Sequence, residues 1–211
     1  MMRKSVRNSS QYDSDLRTVR KAVYNELPET SAAEFEHPFL VILSGLPGTG
    51  KSYFANRLTT HIKSAIVGSD RTRKLLISKP IYSKREHERI FAICHRLIED
   101  LLSQGYVTIF EATNLTAKSR LPLQKIAIKL DVPSLCLVFT APEDLIKKRL
   151  MDRTSNVDNS SYSDADWAIY SKLKPSQETP EPNDWIIDSS QDISQVLDNL
   201  TTIIKSHPQH H

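Results

Sequence analysis

Apolar residues along this chain follow two alternating rhythms. From residue 39 onward, short runs recur in which almost every position is apolar: Phe39–Leu43, Ala65–Val67, Tyr106–Phe110, Leu135–Phe139 and Trp185–Ile187. Runs of that length predict strands buried on both faces, as in a parallel sheet. Between them, apolar residues return at helical spacing. Helices are predicted over Lys51–Ile62, from Asp70 to before Pro80, over about Lys84–Ser103 and over about Thr116–Leu130. Further ones are predicted from Pro142, over Ala165–Leu173 and over Ile193–Ile204. The longest puts Ile90, Cys94, Leu97 and Leu101 on one face and stops at Gly105. Five strands separated by helices predict an α/β fold of three layers around a five-stranded, mainly parallel sheet.

The first 36 residues read differently. Leu16, Val19, Val23 and Leu27 predict one amphipathic helix over Asp13–Leu27 with Ser14 as its N-cap, followed by a loop from Pro28 to His37. A polar segment rich in Ser, Asp and Pro covers residues 154–183, and His207, His210 and His211 lie in a frayed tail over 207–211. At 211 residues the chain fits one domain with a short appendage.

Composition narrows the class. Hydrophobic residues are 39% and charged residues 25%, as in an ordinary water-soluble domain. A formal charge of +3 is too small to argue for nucleic acid by itself, so a polyanionic partner would have to meet a local patch. Cys94 and Cys136 each lie in an apolar run without CxxC spacing, which predicts packed, reduced thiols. No apolar stretch approaches the ~20 residues of a membrane span. The basic N-terminus has no apolar run behind it, so it does not read as a secretory signal. The expectation is a cytoplasmic protein with no membrane partner; nothing bears on its oligomeric state.

The chemistry begins at Gly45-Leu46-Pro47-Gly48-Thr49-Gly50-Lys51-Ser52, a GxxxxGK[ST] pattern between a predicted strand and a predicted helix. Three of the chain's five glycines fall within these eight residues. Glycines there let the backbone curl so that successive N–H groups face phosphate oxygens at the positive end of the helix. Lys51 is expected to reach the β and γ phosphates, the Ser52 hydroxyl to ligate magnesium, and Tyr53 to complete the nucleotide-binding run. The implied cofactors are ATP and Mg2+.

The second predicted strand ends in Ser69-Asp70-x-x-Arg73. In open α/β sheets ligands bind beyond the carboxyl ends of the strands, which aims Asp70 at the γ-phosphate region. A carboxylate there can take the proton of an attacking hydroxyl. Asp70 could equally be the N-cap of the helix that follows. Arg73, one turn on, can orient that carboxylate or clamp an anionic acceptor group.

The run Gly45–Ser52, then Ser69-Asp70-x-x-Arg73, then Phe110-Glu-Ala-Thr-Asn114 with Arg120 following, resembles the polynucleotide 5′-kinase-like branch of the small AAA-type P-loop kinases over about residues 39–188. The resemblance implies a kinase domain over 37–206 with a lid at about 149–183. It implies that Asp70 activates the acceptor hydroxyl and that Arg73 contacts both Asp70 and an acceptor phosphate. Glu111 stands where the family usually has Asp, retaining the charge on a longer arm for a magnesium or water-mediated role. Asn114 becomes a substrate-side or loop-fixing residue. Arg149 and Arg153, four apart on one helix face, are implied to close over ATP; a helix dipole also accounts for cations there. Tyr162–Asp166 with Glu181-Pro182 resembles a subgroup of kinases whose acceptor is mostly unassigned. Trp167 and Tyr170 can stack a base or pack a loop.

These residues describe an ATP-dependent phosphotransferase acting on a hydroxyl. The acceptor stands open between a nucleic-acid 5′ end and a small molecule such as a sugar, nucleoside or antibiotic. A nucleotide-binding regulatory module with little turnover is the alternative from another class.

Overall fold

A strand that is apolar at every position has no face to give to water, and the sheet is arranged around one. In the computed structural model, which describes residues 2–27, 38–155 and 165–206, β1 (Phe39–Ser44) is buried at all six positions. It lies between β3 (Val107–Glu111) and β4 (Ser134–Thr140), with β2 (Ser64–Gly68) and β5 (Trp185–Asp188) at the edges. The order is β2-β3-β1-β4-β5 and every pair is parallel, with Val41 opposite both Ile109 and Leu135. The expected three-layer α/β architecture is therefore present, with a wholly parallel sheet.

Successive strand residues point to opposite faces, so β1 feeds two cores. Leu40 and Ile42 pack with α1 (Met2–Tyr24), α4 (Lys84–Ser103) and α5 (Ala117–Lys129). Val41 and Leu43 pack with Phe54 and Leu58 of α2 (Lys51–His61) and Leu197 and Leu200 of α8 (Ser194–Ser206). The remaining helices are α3 (Ser69–Leu76), α6 (Glu143–Ser155) and α7 (Trp167–Leu173), the last running into a 3-10 turn over Lys174–Ser176. Element boundaries from 39 onward fall within two residues of those expected, save that α3 ends at Leu76. Among the described residues no helix is long and apolar enough to cross a membrane.

The first helix differs from expectation. It starts at Met2, not Asp13, and Ser14 is an interior residue whose carbonyl accepts from Thr18 Oγ1 at 3.0 Å. Nothing between residues 2 and 12 is Gly or Pro, so no residue there stops the helix. Its inner side is ion-paired to the domain. Asp15 is buried and accepts two bonds from Arg89 of α4, at 2.6 and 2.8 Å. Arg20 pairs with Asp100, and Arg71 of α3 pairs with Glu26. Cys94 and Cys136 are free and buried, and burial pushes both thiols up to about 12.

Between α4 and β3, His95 lies edge-on to Phe91 and Phe110, with ring centroids 5.8 and 6.1 Å away, and its Nε2 has no partner. Burial, with the neighbouring His87, lowers its pKa from 6.5 to about 4. Between those two values the unfolded chain binds a proton that the folded one excludes. Stability therefore falls as pH drops through that window, by up to about 3 kcal/mol. In His95→Phe, urea unfolding at neutral pH and at about pH 4.5 should show that much less acid sensitivity.

Candidate active site

Register brings the site together. Glu111, the last residue of β3, lies opposite Leu43 of β1 on one side and Gly68 of β2 on the other. The three strands thus end at one level, and the chain leaving β1 and β2 turns at once into residues 45–50 and into α3. In the first turn the backbone excludes side chains. A Cβ on Gly45 (φ 145) would lie 2.7 Å from the Phe139 carbonyl oxygen, and one on Gly48 (φ 81) 2.9 Å from Ile146 Cγ2. Gly50 caps α2 with no side-chain bond, which leaves the first N–H groups of the helix open to an anion.

Lys51 is buried, and its ammonium donates to the carbonyls of Gly45 (2.8 Å) and Leu46 (2.9 Å). Burial lowers its pKa to about 8 against the opposing pull of Glu111 and Asp70, with Arg153 adding to the depression. Two carboxylates and one guanidinium are thereby within electrostatic reach of this ammonium. The Ser52 hydroxyl donates to Glu111 Oε1, so the longer arm of glutamate does reach the position beside the loop. A hydroxyl and a carboxylate side by side are hard oxygen donors that fit a magnesium ion also held by phosphate. Thr49 closes the turn onto the Leu46 carbonyl at 2.7 Å, Pro47 is buried within it, and Tyr53 stands exposed on α2.

Asp70 occupies the second position of α3, whose N-cap is Gly68 with no side-chain bond. Capping therefore does not account for this carboxylate. Arg73, one turn further, is buried and ion-paired with Glu86 of α4, and its guanidinium lies 4.7 Å from the centroid of the Tyr82 ring. Glu86 also accepts from the Ile81 N–H at 2.9 Å. The partner this structure gives Arg73 is thus Glu86, where the sequence pointed to Asp70.

Of the two roles open to Asn114, substrate-side or loop-fixing, its contacts are those of a loop-fixing residue. It is 1% exposed, with φ 45; its Nδ2 donates to the Leu43 carbonyl at 2.8 Å, and its carbonyl accepts from Ser44 Oγ and Arg120 Nη1. Arg149 Nη1 donates to the Gly48 carbonyl (3.2 Å) and Ser189 Oγ (2.9 Å), and its Nη2 to the Ser189 carbonyl. α6 is thus tied to the glycine turn and to the end of β5. Arg153 is half-buried on the same face. Trp167 and Tyr170 stack on each other at 4.7 Å, and Tyr170 packs with Leu46, Leu115, Ile146 and Leu150, so they pack the wall beside the loop. The expected lid, the Tyr162–Asp166 motif and the histidine tail fall wholly or in part outside the described residues.

Sequence reading missed the Ser189 anchor and the pairing of Arg120. Arg120 is 2% exposed and bonds Glu181 at 2.9 Å, with Asp184 at 3.9 Å, while Glu178 N–H donates to the Leu115 carbonyl. The segment after α7 is thus fastened to the start of α5.

The glycine turn after a central strand, the buried lysine and the hydroxyl–carboxylate pair define a P-loop fold of the kinase type. The chain belongs to the AAA domain family, in a P-loop kinase branch; the family model matches residues 40–174. The L-seryl-tRNA(Sec) kinase of Methanococcus maripaludis is 30% identical over 125 residues, covering 57% of this chain and 48% of that protein. The chain thus spans about half the length of that curated relative. Among solved structures, Chaetomium thermophilum Kti12 in complex with ADP-AlF3 superposes with a TM-score of 0.62 at 17% identity, covering 78% of this chain and 98% of that one. The Mycobacterium tuberculosis APS kinase CysC in complex with AMPPNP and APS gives 0.59 at 16% identity, covering 81% and 99%. At such identities the likeness is one of fold.

Arg120→Ala should cost about 3 kcal/mol of stability, because it removes the buried cation that pairs with Glu181 and with the poorly exposed Asp184. Denaturant unfolding measures this directly.

Proposed function

We propose that this chain is an ATP- and magnesium-dependent kinase that transfers the γ-phosphoryl group to a hydroxyl. The observation that carries the reading is the convergence of Lys51, Ser52, Glu111 and Asp70 where three parallel strands end together. In it, the N–H groups of Gly45–Ser52 cradle the phosphates and Lys51 neutralises the β and γ oxygens. Ser52 and Glu111 hold magnesium, which when bound offsets charge on the transferring group. The acceptor oxygen forms a bond to the γ phosphorus while the β–γ bridging bond breaks. ADP leaves with the bonding pair, and the hydroxyl proton passes to Asp70. Arg73 orients the acceptor side, and Arg149 with Arg153 covers the phosphates. The Methanococcus maripaludis relative, named as an L-seryl-tRNA(Sec) kinase, supports a hydroxyl acceptor carried on RNA.

ADP release, measured with and without a panel of hydroxyl acceptors, tests this reading. Lys51→Ala should abolish it, and full activity in that variant would sink the proposal. Asp70→Asn should lower turnover ~10²–10⁴-fold, the usual range for a general base. Since Asp70 is not a cap, stability should fall by no more than the ~1 kcal/mol of a carboxylate at a helix N-terminus. Undiminished turnover would remove Asp70 from the chemistry.

The two arginines should separate. Arg153→Ala should reduce kcat with little change in ATP affinity, because its contact is to charge that develops in the transfer. Arg149→Ala should lower both, since it also releases the Gly48 carbonyl of the cradle. A pure affinity loss in Arg153→Ala would make that residue a ground-state ligand instead.

A further inference from the structure

The loop between α3 and α4, with the helical residues that flank it, is rich in cations. Residues 71–85 carry six Lys or Arg and no Asp or Glu, in a chain whose formal charge is only +3. Arg71 and Arg73 are turned inward onto Glu26 and Glu86. Lys74, Lys79, Lys84 and Arg85 remain exposed, with Glu88 4.0 Å from Lys84 as an i, i+4 partner. Among these cations stand three exposed apolar side chains, Leu75 at 41%, Ile81 at 77% and Tyr82 at 52%.

The fold sets this loop beside the candidate chemistry. The C-terminus of α4 precedes the start of β3 by only a few residues, and a helix of 20 residues is ~30 Å long. Its N-terminus, with Ser83 as cap, therefore lies at the opposite edge of the sheet, the edge where β2 ends and the first turn of α3 carries Asp70. Arg73, one helical turn from Asp70, has its guanidinium against the Tyr82 ring. Tyr82 has φ 52, a conformation that costs a bulky residue about 1 kcal/mol or more. The geometry is held from below, because Glu86 binds Arg73 and the Ile81 N–H together. Core packing does not explain a strained tyrosine that is half exposed on a fixed cationic base.

We propose that Tyr82 is the acceptor-docking residue of this kinase, an aromatic platform on which a nucleobase of a single-stranded nucleic-acid acceptor stacks. The inference rests on the kinase reading and adds the acceptor to it. The Arg73 guanidinium beneath the ring fixes its plane, the surrounding Lys and Arg draw the phosphate backbone, and the adjacent hydroxyl is delivered toward Asp70. Stacking on an aromatic ring within a cationic surface is how single strands are held without base-edge readout. A sugar acceptor has no planar ring to place there and no repeated phosphates for the lysines.

Equilibrium binding of a labelled short single-stranded oligonucleotide with hydroxyl ends, beside its abasic counterpart of equal length and charge, tests this without requiring turnover. Tyr82→Gly is the informative variant: glycine accepts the positive φ, so a melting curve close to that of wild type shows that the loop is intact. It should bind the oligonucleotide about ten-fold or more weakly, whereas Tyr82→Phe should stay within about two-fold of wild type. The abasic strand should bind wild type and Tyr82→Gly alike. Lys79→Ala with Lys84→Ala should flatten the salt dependence by roughly one phosphate contact per lysine. Equal binding of both strands by wild type, or unchanged binding by Tyr82→Gly, overturns the platform. A wild-type protein that ignores the oligonucleotide yet releases ADP with a sugar overturns it too and leaves the kinase reading standing. Persistent ADP release by Lys51→Ala is instead the failure of that reading.

Discussion

The whole site depends on β1, β2 and β3 ending at one level. With Glu111 opposite Leu43 and Gly68, the carboxylate stands beside the first residues of two turns at once. A one-residue slip of β3 would send Glu111 to the other face of the sheet, because side-chain direction alternates along a strand. It would then lose both the Ser52 hydroxyl and its influence on Lys51. The register is held by burial, since Phe110 and Ile109 belong to opposite cores and exchanging their faces would disrupt both. The apolar patterning that folds the domain also places its charges.

Around that level the loop is a compromise between close packing and charge. The Gly45 backbone approaches the Phe139 carbonyl too closely for any side chain, and the same tightness buries Lys51. An ammonium has three donors; here two are satisfied by the loop's own carbonyls, and Glu111 and Asp70 offset part of the cost of its burial. Arg149 joins the outer side of the turn to Ser189, so α6, the glycine turn and the end of β5 share one guanidinium.

What could be read from the chain alone was what is local in sequence. The phosphate cradle is eight consecutive residues, and Asp70 follows a strand that its own apolar run announces. The strands and most helices were legible for the same reason. Partners brought together by tertiary folding were not: Glu86 joins Arg73 from thirteen residues away, Glu181 joins Arg120 from 61, and Gly48 joins Arg149 from 101. No periodicity encodes such pairs. Ser14 misled because serine suits a helix cap yet also sits inside helices, and only an upstream breaker, absent here, would have made it a start. Asn114 stayed open between two roles in the sequence, since a polar residue after a strand can face a substrate or fix a loop until its burial is seen.

Arg73 shows how one pairing changes the chemistry available on the acceptor side. An arginine directed at Asp70 would stabilise that carboxylate as an anion and compete with the hydroxyl for it. Bonded to Glu86, the guanidinium has its charge largely met, and Asp70 keeps its acceptor lone pairs for a proton. The pair is buried, so it was desolvated during folding and adds no such cost when an acceptor arrives. Glu86 also fixes the Ile81 N–H, and with it the backbone that presents Tyr82. One carboxylate on α4 thereby sets both the electrostatics behind the candidate base and the shape of the surface in front of it.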